Sequence, residues 1–207
     1  SSSHTAGAVK IGQISRKLLA EPVQQAEICF HGSFLATGKG HGTDRALVAG
    51  LLGLAVDDEN IPNSFAIAAE RNLTFSIHGI DLGDAHPNTV KMKLTGESGR
   101  TLEIVAASIG GGQIRICEID GLTANFCGEY PTLIVHNLDQ PGHVTEVTSM
   151  LAHKSVNIAT MQLYRDSRGG NAVMVIECDQ EVPQEAIRWL EHLEGIEKVT
   201  YLSLEES

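Results

Sequence analysis

The sequence predicts an α+β protein of two domains, at residues 1–129 and 130–207. Its 207 residues, 42% of them apolar, are enough to bury a core without support from metal ions or disulfides. Composition shifts along the chain, because the glycine clusters lie in the first part whereas the acidic excess is concentrated in the second. The apolar periodicity also changes, since only the second part has a regular order of strands and helices. These observations place the boundary near residues 128–131.

In the first domain, apolar residues at helical spacing predict three helices, and alternating segments predict six strands. The predicted helices are 5–19, 43–54 and 64–71. The predicted strands are 26–31, 74–78, 90–94, 101–107, 113–118 and 123–127. Most connections between successive strands are too short for crossover helices, so the sheet should be mainly antiparallel. The glycine-rich stretch after the first strand is expected to form a loop.

The second domain shows the order βαββαβ. The predicted strands are 132–136, 155–164, 172–177 and 196–202. One helix is expected around residues 144–151, after a turn at 139–142, and another begins at Pro183. This order predicts a ferredoxin-like unit, a two-layer sandwich with an open sheet face or edge on which ligands or a second copy could pack.

Charge and cysteine usage exclude several classes of protein. The formal charge is −11 and no basic stripe is present, so nucleic acid and anionic membranes are not expected partners. No apolar run approaches the roughly 20 residues that span a bilayer. The four cysteines form no C-x-x-C pair, which favours a reduced cytoplasmic protein with buried thiols. They are Cys29, Cys117, Cys127 and Cys178.

The N-terminal segment SSSHTAG at 1–7 lies directly ahead of the predicted first helix. Its hydroxyls and backbone amides would lie where a helix N-terminus attracts an anion, such as a carboxylate. Alternatively, Ser3 or Thr5 simply caps the helix.

Residues 37–44 hold the densest group of reactive side chains, since Lys39, His41, Thr43 and Asp44 stand among three glycines immediately before a helix. The spacing is not that of a phosphate-binding P-loop, because His41 interrupts it. A histidine held on such a turn can act as a general base or donate a hydrogen bond to a carboxylate. An ordinary loop with a helix cap is the alternative.

Two further short motifs place polar groups on turns. His86 and Asn88 flank a proline, and Ser108 precedes three glycines at 110–112. Each motif is weak in isolation. Although His4, His41 and His86 together could suggest a metal site, their spacing does not support one, and we expect no metal ligands in this chain.

Taken in order, five motifs resemble the beta subunit of iron–sulfur-dependent L-serine dehydratases. They are SSSHTAG at 1–7, FHGS at 30–33, GKGHGTD at 38–44, HPNT at 86–89 and SIGGG at 108–112. Beta chains of that family normally begin before the triple serine, which suggests a trimmed N-terminus. Residues 130–207 resemble a regulatory ACT domain. The first part is similar to the allosteric substrate-binding domain of some D-3-phosphoglycerate dehydrogenases.

The resemblance implies a lyase that converts L-serine to pyruvate and ammonia with a [4Fe-4S] cluster. The cluster would be held by a partner alpha subunit, and this chain alone would be inactive. His41 is our choice for the base, and His4 and His86 are further catalytic candidates. The expected substrate-binding residues are Ser2, Ser3, Lys39, Thr43, Asn88 and Ser108.

The resemblance to an ACT domain also implies regulation by a small amino acid and dimerisation through that domain. The effector would bind at an interface between two copies, at Asn137, Asp139, Gly142 and Asn157.

Two other functions remain open at this point. The chain could be a regulatory subunit that senses an amino acid and merely docks on a catalytic chain, or a free-standing amino-acid-binding protein. Convergence of His4, His41 and His86 on one ligand would favour the catalytic function over the regulatory subunit. Co-purification of a cysteine-bearing partner would exclude the free-standing binding protein.

Overall fold

The computed structural model describes residues 2–38 and 42–205. The chain divides into two compact units, residues 1–121 and 122–207. Both contain helices and antiparallel-rich sheets, so the predicted α+β fold class is confirmed. The boundary between domains at residues 129 and 130 stays a prediction.

The first unit packs helices on a sheet with the strand order β2-β1-β3-β4-β5. Its strands are β1 Val23–Phe30, β2 Thr74–Gly79, β3 Thr89–Gly96, β4 Thr101–Gly110 and β5 Gln113–Ile119. Its helices are α1 Ser2–Leu19, α2 Gly32–Gly38, α3 Thr43–Leu51 and α4 Ser64–Glu70, with a 3-10 turn at Ile61–Asn63. β1 and β2 pair in parallel because helices connect them, and the pairs β1–β3, β3–β4 and β4–β5 are antiparallel.

Three local expectations for this unit were wrong. The expected glycine-rich loop contains helix α2, which the buried Phe34 anchors. α1 already includes Ser2, so residues 2–4 form its first turn instead of preceding it. α3 ends at Leu51 because Gly53 adopts a left-handed conformation with φ +85°, which stops a helix.

α1 and α3 pack closely through two glycines. A Cβ atom on Gly12 would overlap the carbonyl oxygen of Leu47, and one on Gly50 would overlap that of Val9. The helices therefore approach with their backbones in contact, and α1 also packs on β4. This packing fixes the position of α1, whose first turns carry His4.

The second unit has the strand order β10-β7-β9-β8, with all three pairings antiparallel. Its elements are β6 Leu122–Phe126, β7 Thr132–Leu138, α5 His143–His153, β8 Ile158–Arg165, β9 Asn171–Cys178, α6 Gln184–Glu191 and β10 Ile196–Leu202. From β7 onward the order is the predicted βαββαβ, and this strand order is the ferredoxin-like one. Residues of β7 and β9 form one core with apolar residues of α5 and α6.

The sequence predicts an open sheet face or edge, and in the structure it is an edge, because the face opposite the helices is closed. Ile134, Val175 and Thr200 are almost completely buried there. The exposed part of this sheet is its edge strand β8, where the side chain of Leu163 is 53% exposed. No helix in the described part of the chain is long and apolar enough to cross a membrane.

Candidate functional site

A pair of polar side chains links α1 to the turn before β3. The distance between His4 Nε2 and Asn88 Nδ2 is 3.1 Å. With the amide as donor, Nε2 accepts the hydrogen bond and Nδ1 carries the proton of the neutral ring. His4 and Asn88 are both partly buried, and Asn88 Oδ1 is a buried atom with no hydrogen-bond partner in the part of the chain that the structure describes.

Ser108 lies directly behind this pair. Its backbone N–H donates to the carbonyl oxygen of Asn88 at 3.0 Å. Gly7 shares the face of α1 with His4, and a Cβ atom on Gly7 would overlap the Ser108 hydroxyl. Ser108 is fully buried, and within residues 2–38 and 42–205 its hydroxyl has no hydrogen-bond partner. A ligand therefore reaches Ser108 only if the first turns of α1 move.

His86 belongs to the same turn as Asn88 but faces solvent. Its Nδ1 accepts the backbone N–H of Asn88 at 3.0 Å, and its carbonyl accepts the Thr89 hydroxyl at 2.6 Å. The bond to Nδ1 places the proton of the neutral ring on Nε2. The structure thus brings together four predicted site residues, namely His4, His86, Asn88 and Ser108.

Residues 31–34, in the FHGS segment and directly after it, support this cluster, although sequence reasoning gave them no role. The Phe34 ring meets His4 edge to face at a centroid distance of 6.4 Å. Gly32 has φ +60° and lies against the carbonyl of Pro87, which also accepts the Ser33 N–H at 2.7 Å. The buried His31 accepts the N–H of Leu82 through Nδ1 at 3.0 Å. The proximity of FHGS to a strand end was the only signal that could have indicated this role.

Other predicted site residues are less fully described. Lys39 and His41 lie outside the described residues, so their predicted roles stay predictions. Ser2 and Ser3 belong to the first turn of α1, and only their backbone is described. Thr43 is the first residue of α3 and is 3% exposed, after Gly42 with φ +83°.

The cysteines of this chain do not fit an iron–sulfur cluster. Within residues 2–38 and 42–205, no group of three or more His, Cys, Asp or Glu side chains is placed to hold a metal. Cys29, Cys117 and Cys178 lie on different strands, and burial raises the pKa of each thiol, that of Cys178 to about 11. Cys127 donates a hydrogen bond to Glu177. A cluster requires several cysteines close together, and these four are spread over separate strands and segments.

In the second unit, Asn137, Asp139 and Gly142 lie together in and after the end of β7. Asp139 Oδ2 accepts bonds from the Gly169 N–H at 2.9 Å and the Arg165 guanidinium at 3.0 Å, which hold its pKa below the ordinary value. The Asn137 amide donates to the Leu138 carbonyl at 2.7 Å, and its buried Oδ1 has no hydrogen-bond partner among the residues described. Gly142, with φ +101°, precedes α5.

Asn157 lies at the opposite end of the same sheet. It precedes β8, whose first residue pairs with Cys178 at the end of β9. Its side chain donates to Asp179 at 2.7 Å. Within one copy, Asn157 therefore does not join the other three predicted effector residues.

Comparisons with known proteins identify the family. The family model described as serine dehydratase beta chain matches residues 1–118. A Bacillus subtilis (strain 168) protein named probable L-serine dehydratase, beta chain is 37% identical over 203 residues, covering 98% of this chain and 92% of the relative. The L-serine dehydratase beta chain of Peptoniphilus asaccharolyticus is 37% identical, covering 89% of this chain and 83% of the relative.

A third relative shares both parts of the chain within a longer protein. The D-3-phosphoglycerate dehydrogenase of Bacillus subtilis (strain 168) is 30% identical over 94% of this chain and 37% of the relative. This similarity agrees with the ferredoxin-like, ACT-type second unit. The family match and the relatives confirm the resemblance carried by the five motifs, and the chain belongs to the serine dehydratase beta chain family.

Proposed function

We propose that this chain is the beta subunit of an iron–sulfur-dependent L-serine dehydratase, which converts L-serine to pyruvate and ammonia. Its family and the names of its relatives support the reaction. The polar cluster of His4, Asn88 and Ser108 supports a direct part in substrate binding, because Asn88 Oδ1 and the Ser108 hydroxyl are buried without partners among the described residues. Each such group costs about 1–3 kcal/mol, which a bound polar ligand would recover.

The cluster suggests a division of roles toward L-serine. Neutral His4, with its proton on Nδ1, can donate a hydrogen bond to the substrate carboxylate. Asn88 Oδ1 can accept one from the substrate ammonium or hydroxyl group. Ser108 lies deeper and is shielded by α1, so substrate binding would require the first turns of α1 to move.

His41 is the proposed general base, with Lys39 and Thr43 as further substrate contacts and Ser2 and Ser3 at the α1 N-terminus. The support comes from the glycine-flanked motif at 38–44 and from the family membership. A base of this kind removes the α-proton of the substrate. His86 presents its Nε2 at the surface, where it could contact the substrate or the partner chain.

The [4Fe-4S] cluster of this proposal belongs to the alpha subunit. The separation of the cysteines of this chain supports that placement, and the beta chain names of its relatives imply such a partner. The beta chain alone would then be inactive.

The test is His41→Ala in the reconstituted two-chain enzyme, assayed for pyruvate release. Loss of a general base should lower kcat about 10²- to 10⁴-fold. His153→Ala, an exposed histidine on α5, is the matched control and should keep full turnover. Full turnover of the His41 variant would remove His41 from the mechanism and favour a purely regulatory subunit.

A further inference from the structure

A second polar site lies in the first unit, at the end of α1 remote from His4. A cleft of about 540 Å³ there is lined by two arginines and several polar side chains. Its polar and charged lining consists of Arg16, Gln24, Arg71, Asn72 and Glu97. Because α1 rises 1.5 Å per residue, Arg16 is about 18 Å along the helix from His4. The cleft is therefore separate from the cluster around His4.

Both guanidinium groups are fixed at the C-terminal end of α3. Arg16 Nη1 donates to the Leu51 carbonyl at 3.3 Å, and Arg71 Nη1 donates to the Leu52 carbonyl at 3.2 Å. Each bond uses one of the five N–H donors of an arginine. The carbonyls thus orient the two guanidinium groups and leave most of their donors for a ligand.

The two like charges lie close enough to affect each other. Burial lowers the pKa of Arg16 most, the charge of Arg71 lowers it further, and Glu97 acts in the opposite direction. In the part of the chain that the structure describes, neither guanidinium forms an ion pair with a carboxylate. Placing two cations together at one cleft costs free energy, which an anion between them would recover.

We propose that this cleft binds a small oxyanion of the phosphate class between Arg16 and Arg71. Two planar guanidinium groups suit the several oxygens of a phosphate, which accept paired N–H bonds. The side chains of Gln24 and Asn72 add neutral donors at the same cleft. The ligand is either free phosphate or the phosphate group of a small ester.

Calorimetry of the full chain with inorganic phosphate, at constant ionic strength set with sodium chloride, tests the proposal. Saturable binding is expected, and Arg71→Gln should raise the Kd at least about tenfold. Lys17→Gln removes the same charge from an exposed position in the last turn of α1 and should leave the Kd unchanged. A parallel titration with glycerol 3-phosphate shows whether a phosphate ester is also accepted.

Glu97→Gln should change the Kd for phosphate in the direction opposite to Arg71→Gln. Removing this carboxylate from the cleft should lower the Kd for phosphate about threefold or more. If circular dichroism shows that Arg71→Gln fails to fold, the Kd of the Glu97→Gln variant still tests whether the cleft binds phosphate. No saturable binding of either phosphate compound, or equal Kd values for wild type and Glu97→Gln, would overturn the proposal.

Discussion

At the residue scale, Asn88 joins three parts of the candidate site through separate atoms. Its side-chain amide bonds to His4 on α1, and its backbone N–H bonds to His86. Its carbonyl accepts the N–H of Ser108 on β4. The two backbone bonds hold the turn whatever the side chain is, so truncation of Asn88 tests the side chain alone.

Asn88→Ala should lower kcat/KM of the two-chain enzyme about 10- to 100-fold, the effect of losing one hydrogen bond to a charged substrate group. It should leave the folded structure intact because both backbone bonds remain. Pyruvate release and urea unfolding of the same preparations measure the two effects. Asn63→Ala, an exposed asparagine before α4, is the control. Wild-type kcat/KM in the Asn88 variant would exclude its side chain from the substrate site.

The sequence indicated the candidate site residues one by one, but it could not show which of them are in contact. His4 and Ser108 are far apart in sequence, and the glycine at position 7 is what lets α1 approach Ser108. A glycine within a helix carries no signal of the strand against which it packs. Phe34 was missed for the same reason, since its contact with His4 depends on helix α2.

At the element scale, the packing of α1 against α3 determines where His4 of the candidate site lies. The two helices touch through Gly12 and Gly50, and any side chain at either position must push them apart. Movement of α1 by even a fraction of an ångström would be transmitted to His4 in its first turns.

Gly50→Ala should destabilise the chain by about 1–3 kcal/mol, as expected for overpacking. The direction of this stability change is diagnostic, because a Gly→Ala substitution in a helix without such a contact stabilises the protein by up to about 1 kcal/mol. Urea unfolding measures the change in the free energy of unfolding. Lys17→Ala, an exposed change on α1, should stay within about 0.5 kcal/mol of wild type. A Gly50 variant as stable as wild type would contradict the close packing.

A second element-scale feature is the anchoring of the segment after β10 by Glu181. Its carboxylate accepts hydrogen bonds from the Tyr201 hydroxyl, from Ser203 Oγ at 2.8 Å and from the Leu204 N–H at 2.8 Å. Burial acts to raise the pKa of Glu181, but these bonds together outweigh it and hold the pKa below its ordinary value of 4.5. The folded state therefore favours the ionised carboxylate.

Glu181→Gln should consequently change the pH dependence of stability. A depressed pKa contributes stability above the unfolded value, and this contribution disappears as pH falls through the folded value. The free energy of unfolding should thus differ between wild type and variant at pH 7, and the difference should shrink below about pH 4.5. Urea unfolding from pH 7 to pH 3 measures it, with the exposed Glu191→Gln on α6 as control. A difference in the free energy of unfolding that stays constant from pH 7 to pH 3 would contradict a lowered pKa of Glu181 in the folded state.

At the scale of the whole molecule, the proposed regulation depends on a second copy. Asn137 and Asp139 lie at one end of the sheet and Asn157 at the other, so one copy cannot bring them to one ligand. An effector that contacts both groups, as the sequence analysis predicts, would therefore have to bind between two copies of the chain. The exposed edge strand β8 is available for such pairing.

L-serine should therefore bind the full chain in calorimetry and shift it toward dimers in analytical ultracentrifugation. Asp139→Ala removes the acceptor of Arg165 and Gly169, loosens the loop and should weaken binding at least about tenfold. Asp57→Ala, an exposed carboxylate in the first unit, should leave binding unchanged. No heat and no change in melting temperature with L-serine would count against this effector site.

Most helices and strands could be predicted from the sequence, because their periodicity is a local property. The βαββαβ order of the second unit follows from alternating apolar runs and a proline that opens α6. Helix α2 could not be recognised, since its composition is that of a loop and the burial of Phe34 stabilises it. The burial of Ile134 on the sheet face opposite the helices is likewise a tertiary effect.

By itself, the sequence determined the α+β class, the family motifs and the absence of a cluster-binding cysteine pattern, because these are recorded in residue types and spacing. Only the tertiary structure decided that His4 meets Asn88, that α1 covers Ser108, and that Arg16 and Arg71 share a cleft. These contacts join residues far apart in the chain. They depend on how closely helices and strands can approach, which no local pattern encodes.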